Sequence, residues 1–434
     1  MIEERLEERR DVSRYPKLLP YYKVKGRITD ALSGMSPLSE RVHVDAARGR
    51  VCAETILSRC NVPAVATSAM DGYAIRSVET QKTSNSRPAI FNVTGAIYPG
   101  ARPPRVRLRG VEAIYVGTGA PIPGGADAVV KIEEARSLGD RISVSTIVPR
   151  WKNVICIGED VRTGTVVVER GQIVNAADVA LLIAVGRYSL SVFRTPRIGI
   201  VSTGDELTPL SKKEEGKKVD NYSNLIAGYL ADANALPVPL GVARDDSDEI
   251  LRIIRRGVRD LDALITIGGS SVGARDFTSM ALRRASNCVE VFHGIRLVPV
   301  RPAGLFVYEG KPVVVLPGHA VAATLSFFLV ARPVVNLLSG LDFDSRATIL
   351  KARLTKQVSN PRPIGALFLA KLTALNGNYE AAVLPWGSDR ISSLAGANAF
   401  FELKPHQTLG REEEVGLTLL GAPEISRVSS GEAH

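Results

Sequence analysis

The chain has 434 residues, too many for one hydrophobic core, so two to four domains are expected. With 45% hydrophobic and 23% charged residues it has the balance of an ordinary globular protein, which excludes a disordered chain. Its net charge of +10 is spread along the chain and not clustered with aromatics, which argues against nucleic acid and for small anionic ligands.

The N-terminal text "MIEERLEERRDVSRYP" reads as an extension, and it has no hydrophobic core of the kind a signal peptide needs. "GRITDALSGM" opens a short helix, and "SERVHVDAARGRVCAETI" reads as a helix end followed by a strand. From Leu57 to Trp151, frequent Pro and Gly and short alternating strands such as "RISVSTIV" indicate a compact β-rich module. "ADVALLIAVGRYSLSVFRTP" gives an apolar helix, a stop at Gly186 and a strand closed by Pro196. The four cysteines, Cys52, Cys60, Cys156 and Cys288, form no CxxC pair, so reduced thiols in the cytoplasm are expected and a zinc site is not.

From Pro196 to Gly340 strands and helices alternate. Strands are expected at "RIGIVS", "LPVPLGVA", "DALITIG" and "KPVVVLPG", with helices over 221–231, 248–258, 277–285 and after the last strand. This is the grammar of a doubly wound parallel sheet with helices on both faces. The apolar run Ala320 to Ala331 falls short of the ~18–20 residues a membrane helix needs, so no membrane partner is expected. The last part of the chain, with "ATILKARL", "LFLAKLTAL" and "EVGLTLL", returns to short strands and suggests a small barrel or sandwich.

Doubly wound sheets bind ligands outside the carboxyl ends of their strands. Three such ends are rich in polar groups: "VSTGDEL", with Thr203, Gly204, Asp205 and Glu206; "IGGSSVGARDF", with Gly268, Gly269, Ser270, Ser271, Gly273 and Asp276; and "LPGHAVA", with Pro317, Gly318 and His319. Glycines let backbone N–H groups approach an anion, and a following helix N-terminus favours phosphate. The acids beside them would repel phosphate unless a divalent cation lay between, which points to a phosphorylated ligand bridged by Mg²⁺ to Glu206 or Asp276. Each piece also has a plainer reading. Asp205 and Glu206 suit the start of a helix, and Asp276 and Asp246 suit helix caps. Asp71-Gly72, in "ATSAMDGYAIRS", suits a hairpin tip.

These motifs, in this order, resemble the MoeA-type molybdopterin molybdenumtransferases, the family that includes the gephyrin E domain. The resemblance is carried by "SAMDGYA", "GTGAPIPGGADAVVKIEE", "NVICIGEDVRTG", "PRIGIVSTGDEL", "IGGSSVGARDF", "VLPGHAVA" and "GSDRISSLAGANAFFELKP", and it covers nearly all the chain beyond residue 25. It implies a multidomain α+β fold whose central doubly wound α/β subdomain binds molybdopterin between β-rich N-terminal and C-terminal parts. The segments it implies are an extension (1–26), a discontinuous linking subdomain (27–57 and 150–193), an inserted β-rich subdomain (58–149), the α/β subdomain (194–342) and a C-terminal β subdomain (343–434).

The activity implied is insertion of molybdenum or tungsten from its oxyanion into adenylylated molybdopterin, with Mg²⁺-dependent release of AMP. A homodimer with a shared cleft is implied too, to which Asp71 of one subunit contributes, with Asp160 near the same cleft. Glu206 and Asp276 are then the candidates to hold Mg²⁺, and the residues of 268–273 those that wrap the pterin phosphate.

The sequence departs from the family where an oxyanion should sit. Pro302-Ala303-Gly304-Leu305 lacks the lysine of Pro-Gly-Lys-Pro, and "LPGHA" has His319 and Ala320 where the family has Asn and Pro. "PIGALFLAKL" carries no arginine where the family tends to have two, leaving only Lys371 nearby. Each missing cation removes a contact worth ~1.5–3 kcal/mol. A transferase relying on other cations, such as Arg275 or Arg301, is therefore one reading. The alternative is a divergent paralogue that binds molybdopterin or hydrolyses its adenylate without inserting metal, acting as carrier or partner of a complete family member.

Overall fold

The computed structural model describes residues 18–212, 214–269, 276–375 and 377–425. It divides into two compact units, one formed by the chain up to Glu40 together with Phe193 onward, the other by Arg41–Val192.

The first unit is built on a six-stranded sheet of β1 (Arg197–Thr203), β2 (Leu236–Ala243), β3 (Ala263–Ile267), β4 (Cys288–His293), β5 (Gly304–Tyr308) and β6 (Lys311–Leu316), ordered β2-β1-β3-β6-β5-β4. β2, β1, β3 and β6 are parallel, as the alternation predicts. β5 and β4 turn back antiparallel, so the sheet is mixed and not wholly parallel. Their connections are too short for a crossover helix, which parallel strands require. The chain leaves β1 for β2 on one side and for β3 on the other, so the order reverses at β1. A crevice outside the carboxyl ends of β1 and β3 follows from that reversal.

Helices α1 (Tyr21–Leu32), α2 (Tyr222–Asp232) and α5 (Ala320–Leu338) cover one face, and α3 (Ser247–Asp260) and α4 (Phe277–Arg284) the other. α1 presents Val24, Ile28 and Leu32, spaced by one helical turn, to the core. A domain boundary at 26/27 therefore falls inside a helix whose apolar face packs with the α/β core. α3 starts at Asp246, whose carboxylate accepts from the Asp248 and Glu249 amides at 3.0 and 2.7 Å, so Asp246 is a helix cap. α5 runs past Ala331 through a π-helical turn, Phe327–Ala331, to Leu338. It is long and apolar enough to cross a membrane by length and composition, yet 89% of its apolar window is buried inside the protein as the core helix. Truncating Phe327, which is fully buried, is expected to cost about 3–5 kcal/mol.

The last third of this unit closes a barrel. Gly365–Leu375 pairs with both Asn378–Val383 and Ala399–Leu403, and Ile349–Leu354 and Glu414–Leu419 complete the ring around a separate apolar core.

The second unit contains a six-stranded sheet ordered 128–131, 72–75, 112–116, 89–97, 141–144 and 136–137. The helix Ala176–Ala184 forms where the sequence predicts it, because Asn175 and Asp178 close a capping box at its start. Ser39–His43 is a strand and not the end of a helix. Asp71-Gly72 is not a hairpin tip either. Gly72–Ile75 is an interior strand between 112–116 and 128–131, and Asp71 sits where it begins. Gly72 is fixed by packing: a Cβ there would lie 2.0 Å from the Val130 carbonyl oxygen.

Candidate functional site

The turns after β1, β3 and β6 lie side by side because their strands are neighbours in the sheet. Gly268 and Gly269 have φ of +92° and +59°, a region that side chains other than glycine enter at a cost. The Gly268 amide donates to the Leu316 carbonyl at 3.0 Å, tying the turn after β3 to the end of β6. A Cβ on Gly318 would approach the Gly268 Cα to 3.2 Å, so the two backbones nearly touch. Thr278, the second residue of α4, donates its amide to the Gly269 carbonyl at 3.2 Å and so ties the start of that helix to the glycine turn. Ser270, Ser271, Gly273 and Arg275 belong to the segment 270–275 and lie outside the described residues.

Thr203, the last residue of β1, is 5% exposed, and among the described residues its Oγ1 has no hydrogen-bond partner. That hydroxyl would sit 2.8 Å from a Cβ on Gly269, so it faces the glycine turn. Ser202 Oγ beside it is buried and likewise without a partner. Buried hydroxyls left unpaired cost free energy, and a ligand in the glycine crevice would relieve the cost at Thr203.

Four acids are predicted on this edge or the loop beside it, and the structure gives them different tasks. Glu206 is exposed and folds back over Gly204, where a Cβ would lie 2.7 Å from its Oε2. Asp205 fastens the turn after β1 to the loop after β2 by accepting from the Asp245 amide at 3.2 Å. Asp246 caps α3. Asp276 caps α4, its Oδ1 accepting from the Ser279 amide at 3.2 Å. Asp276 is also buried, and burial raises its carboxyl above the usual range while His293, 3.8 Å from Oδ2, works against that rise. Among the described residues no three of His, Cys, Asp and Glu cluster as a metal cage. Carboxylates such as those of Glu206 and Asp276 are the kind of oxygen ligand that Mg²⁺ takes, one or two at a time beside waters and a substrate phosphate.

The turn after β6 behaves differently. α5 begins at Ala320, but the Val321 and Ala322 amides donate to the Ser388 carbonyl at 3.0 and 3.4 Å. The expectation that these helix amides face an anion is corrected: a loop from the C-terminal part caps them. The same loop holds Tyr222, which donates to Asp389 at 2.9 Å and whose hydroxyl is pushed up to about 12 by burial and by that carboxylate. His319 is the residue before the helix, and its side chain makes no capping hydrogen bond. Pro317 is buried, and Gly318 and His319 are exposed.

Position 304 is also corrected. Gly304 is buried in β5 opposite His293, and a Cβ there would lie 2.9 Å from the His293 Cδ2 and 3.1 Å from the Phe292 carbonyl oxygen. No lysine fits. Three residues upstream, Pro299-Val300-Arg301-Pro302 has prolines at the first and fourth positions and a cation at the third, in the turn that leads into β5. Arg301 is thus a cation held between two prolines just before β5. Lys371 pairs with Glu424 at 2.9 Å, and Arg362 stacks 4.1 Å over the Trp386 ring.

Asp71 and Asp160 belong to the second unit. Asp71 is exposed, and its Oδ1 accepts from the Thr118 amide and hydroxyl at 2.6 and 2.9 Å, which holds its pKa below the usual value. Residues 62–68 run antiparallel to 154–161, with Ser68 opposite Val154 and Val62 opposite Val161. Asp71 and Asp160 flank opposite ends of this run, so within the unit they are not side by side.

Comparison with known proteins agrees with this geometry. Residues 22–186 match the family described as the MoeA N-terminal region (domain I and II), and residues 199–336 match the family described as a probable molybdopterin binding domain. A protein of Mycobacterium tuberculosis named molybdopterin molybdenumtransferase 2 is 33% identical over 322 residues, covering 73% of this chain and 79% of its own. The chain belongs to the MoeA family. A molybdopterin molybdenumtransferase of Staphylococcus aureus is 28% identical over 389 residues, covering 89% of this chain and 91% of its own. The crystal structure of a molybdopterin biosynthesis MoeA protein from Pyrococcus horikosii superposes with a TM-score of 0.82 at 29% identity, covering 94% of this chain and all of that one.

Within this MoeA-type fold, sequence reasoning misses Ser388, Ser279, His293 and Arg283. Ser388 and Ser279 act through a carbonyl and a buried hydroxyl, which no motif reports. His293 ends "VEVFHG", whose alternation does signal a strand.

Proposed function

We propose that the protein inserts molybdenum or tungsten from its oxyanion into adenylylated molybdopterin and releases AMP. The observation that carries this reading is the crevice after β1 and β3, where two left-handed glycines and a buried, unpaired threonine hydroxyl face each other. The backbone amide of Gly269 and the Thr203 hydroxyl are suited to hold the pterin phosphate without adding charge, while the Gly268 amide, bonded to Leu316, fixes the turn that presents them. Glu206 and Asp276 would hold Mg²⁺, which when bound neutralises the phosphoanhydride and polarises the bond that is cleaved. Arg301 supplies a fixed positive charge for the oxyanion.

The activity in this reading belongs to a cytoplasmic homodimer whose cleft is shared between subunits, with Asp71 reaching the partner's site and Asp160 near the same cleft. The division of the chain into segments is part of the proposal, with the boundary at 26/27 moved out of helix α1. With Arg301 as the cation for the oxyanion, the divergent-paralogue alternative rests on "LPGHA" and the missing C-terminal arginines. The test is to incubate the protein with adenylylated molybdopterin, Mg²⁺ and molybdate and to follow AMP and assembled cofactor together. Both products are expected in equal amounts. AMP without cofactor supports the paralogue, and neither product leaves only binding.

A further inference from the structure

Behind Asp276 lies a polar chain, buried at Ser279 and at the His293 side chain and exposed at Arg283 and Glu290, that the reaction above does not use. Arg283, on α4, donates through Nη2 to Nδ1 of His293 at 3.2 Å, and its Nε pairs with Glu290 at 2.7 Å. A guanidinium has no acceptor, so Nδ1 must accept, and the proton of the neutral ring is on Nε2. Nε2 lies 3.1 Å from the Ser279 Oγ, to which it therefore donates. With that lone pair taken, the Ser279 hydroxyl hydrogen is directed at Asp276, whose carboxylate it stabilises. The Ser279 amide donates to the same carboxylate at 3.2 Å.

The Arg283 guanidinium, which can only donate, thus sets the direction of the run Arg283, His293, Ser279, Asp276. The His293 side chain is 4% exposed and packs against Gly304, whose missing Cβ makes room for it. The ring also meets the Pro302 carbonyl, in the turn that carries Arg301.

We propose that His293 is a positioning residue, which orients Asp276 through Ser279 and braces it against the turn bearing Arg301. Asp276 Oδ1 is held by the Ser279 amide and Oδ2 lies 3.8 Å from His293, so the chain fixes the orientation of the carboxylate. Groups that orient a metal-binding carboxylate in this way change metal affinity about 10–100-fold when removed. The proposal rests on the functional reading above for its consequence, but its geometry can be measured without substrate.

The experiment uses full-length protein as wild type, His293→Leu, His293→Gln and Arg283→Met. Glutamine can accept from Arg283 with Oε1 and donate to Ser279 with its amide, so it preserves the direction of the chain. In ¹⁵N-histidine spectra of substrate-free wild type, His293 is expected as a neutral ring protonated at Nε2, and Arg283→Met is expected to lose that pure tautomer. In the AMP-release assay, His293→Leu is expected to raise the Mg²⁺ concentration for half-maximal rate by about 10-fold or more. It is expected to leave the KM for adenylylated molybdopterin within about twofold, and His293→Gln to recover most of the Mg²⁺ affinity. A ring protonated at Nδ1, or a His293→Leu protein with wild-type Mg²⁺ dependence, overturns the proposal. If His293→Leu does not fold, His293→Gln and Arg283→Met decide it. If wild type releases no AMP, the functional reading fails while the tautomer still tests the geometry.

Discussion

The turn after β3 and the turn after β6 are written in the same grammar: an apolar strand, one or two glycines, then a helix. They end in opposite states. After β3 the glycines take left-handed conformations beside an unpaired threonine hydroxyl. After β6 the helix amides are already bonded to the Ser388 carbonyl, contributed from nearly seventy residues away. Local sequence thus shows where backbone amides are presented, but only the tertiary structure shows whether another segment has taken them. In the proposed reading the β3 side binds the ligand, and the β6 side is a structural joint.

The largest effect that would break this contrast lies on the β3 side. Replacing Glu206 or Asp276 by Ala is expected to lower Mg²⁺-dependent AMP release by at least about 100-fold. Asp276→Asn should separate the two tasks of Asp276, because Asn caps a helix as well as Asp does. It is expected to keep the melting temperature and lose the activity, and retained activity would remove Asp276 from the site.

A smaller effect is expected from Gly269→Ala. A methyl group there would lie 2.5 Å from the Thr278 Oγ1 in a backbone region that costs alanine about 1–2 kcal/mol. Molybdopterin affinity measured by calorimetry should fall about 10-fold or more, and unchanged affinity would mean the glycine turn is not used. On the β6 side the expected change is slight. His319→Asn and His319→Ala should alter kcat/KM by less than about threefold, since that side chain caps nothing and its helix amides are occupied. Tyr222→Phe should cost about 1 kcal/mol in stability through the lost Asp389 bond, read from a denaturant midpoint.

The second unit offers the mildest test. Asp71 has a depressed pKa, so its hydrogen bonds with Thr118 favour the fold above the unfolded value and that preference is lost as pH falls through the folded value. Thr118→Val removes the hydroxyl bond, and an NMR titration should find the Asp71 pKa moved upward toward that of a free aspartate. No upward movement would mean that the hydroxyl bond is not formed.

Much of the fold was legible because its signals are local. Alternating apolar strands and capped helices placed β1, β2, β3, β6 and α2 to α5 within a few residues, and Asp246 and Asp276 are the helix caps their positions suggest. β4 and β5 were not legible as returning strands, since antiparallel pairing depends on partners distant in sequence. The hairpin reading of Asp71 failed for the same reason, as Gly72 is dictated by the Val130 carbonyl on a strand almost sixty residues away. That position 304 has no room for a lysine is visible only in the structure, where His293 and the Phe292 carbonyl crowd Gly304. The polarity of the run from Arg283 to Asp276 required coordinates, because it turns on which atom of a histidine faces a guanidinium.

The contrast between the two turns is tested most directly by hydrogen–deuterium exchange with and without adenylylated molybdopterin and Mg²⁺. Peptides spanning 199–207 and 264–269 should gain protection on binding, while 319–325 should be protected beforehand and unchanged. Protection gained at 319–325, with none after β1 and β3, would contradict the account.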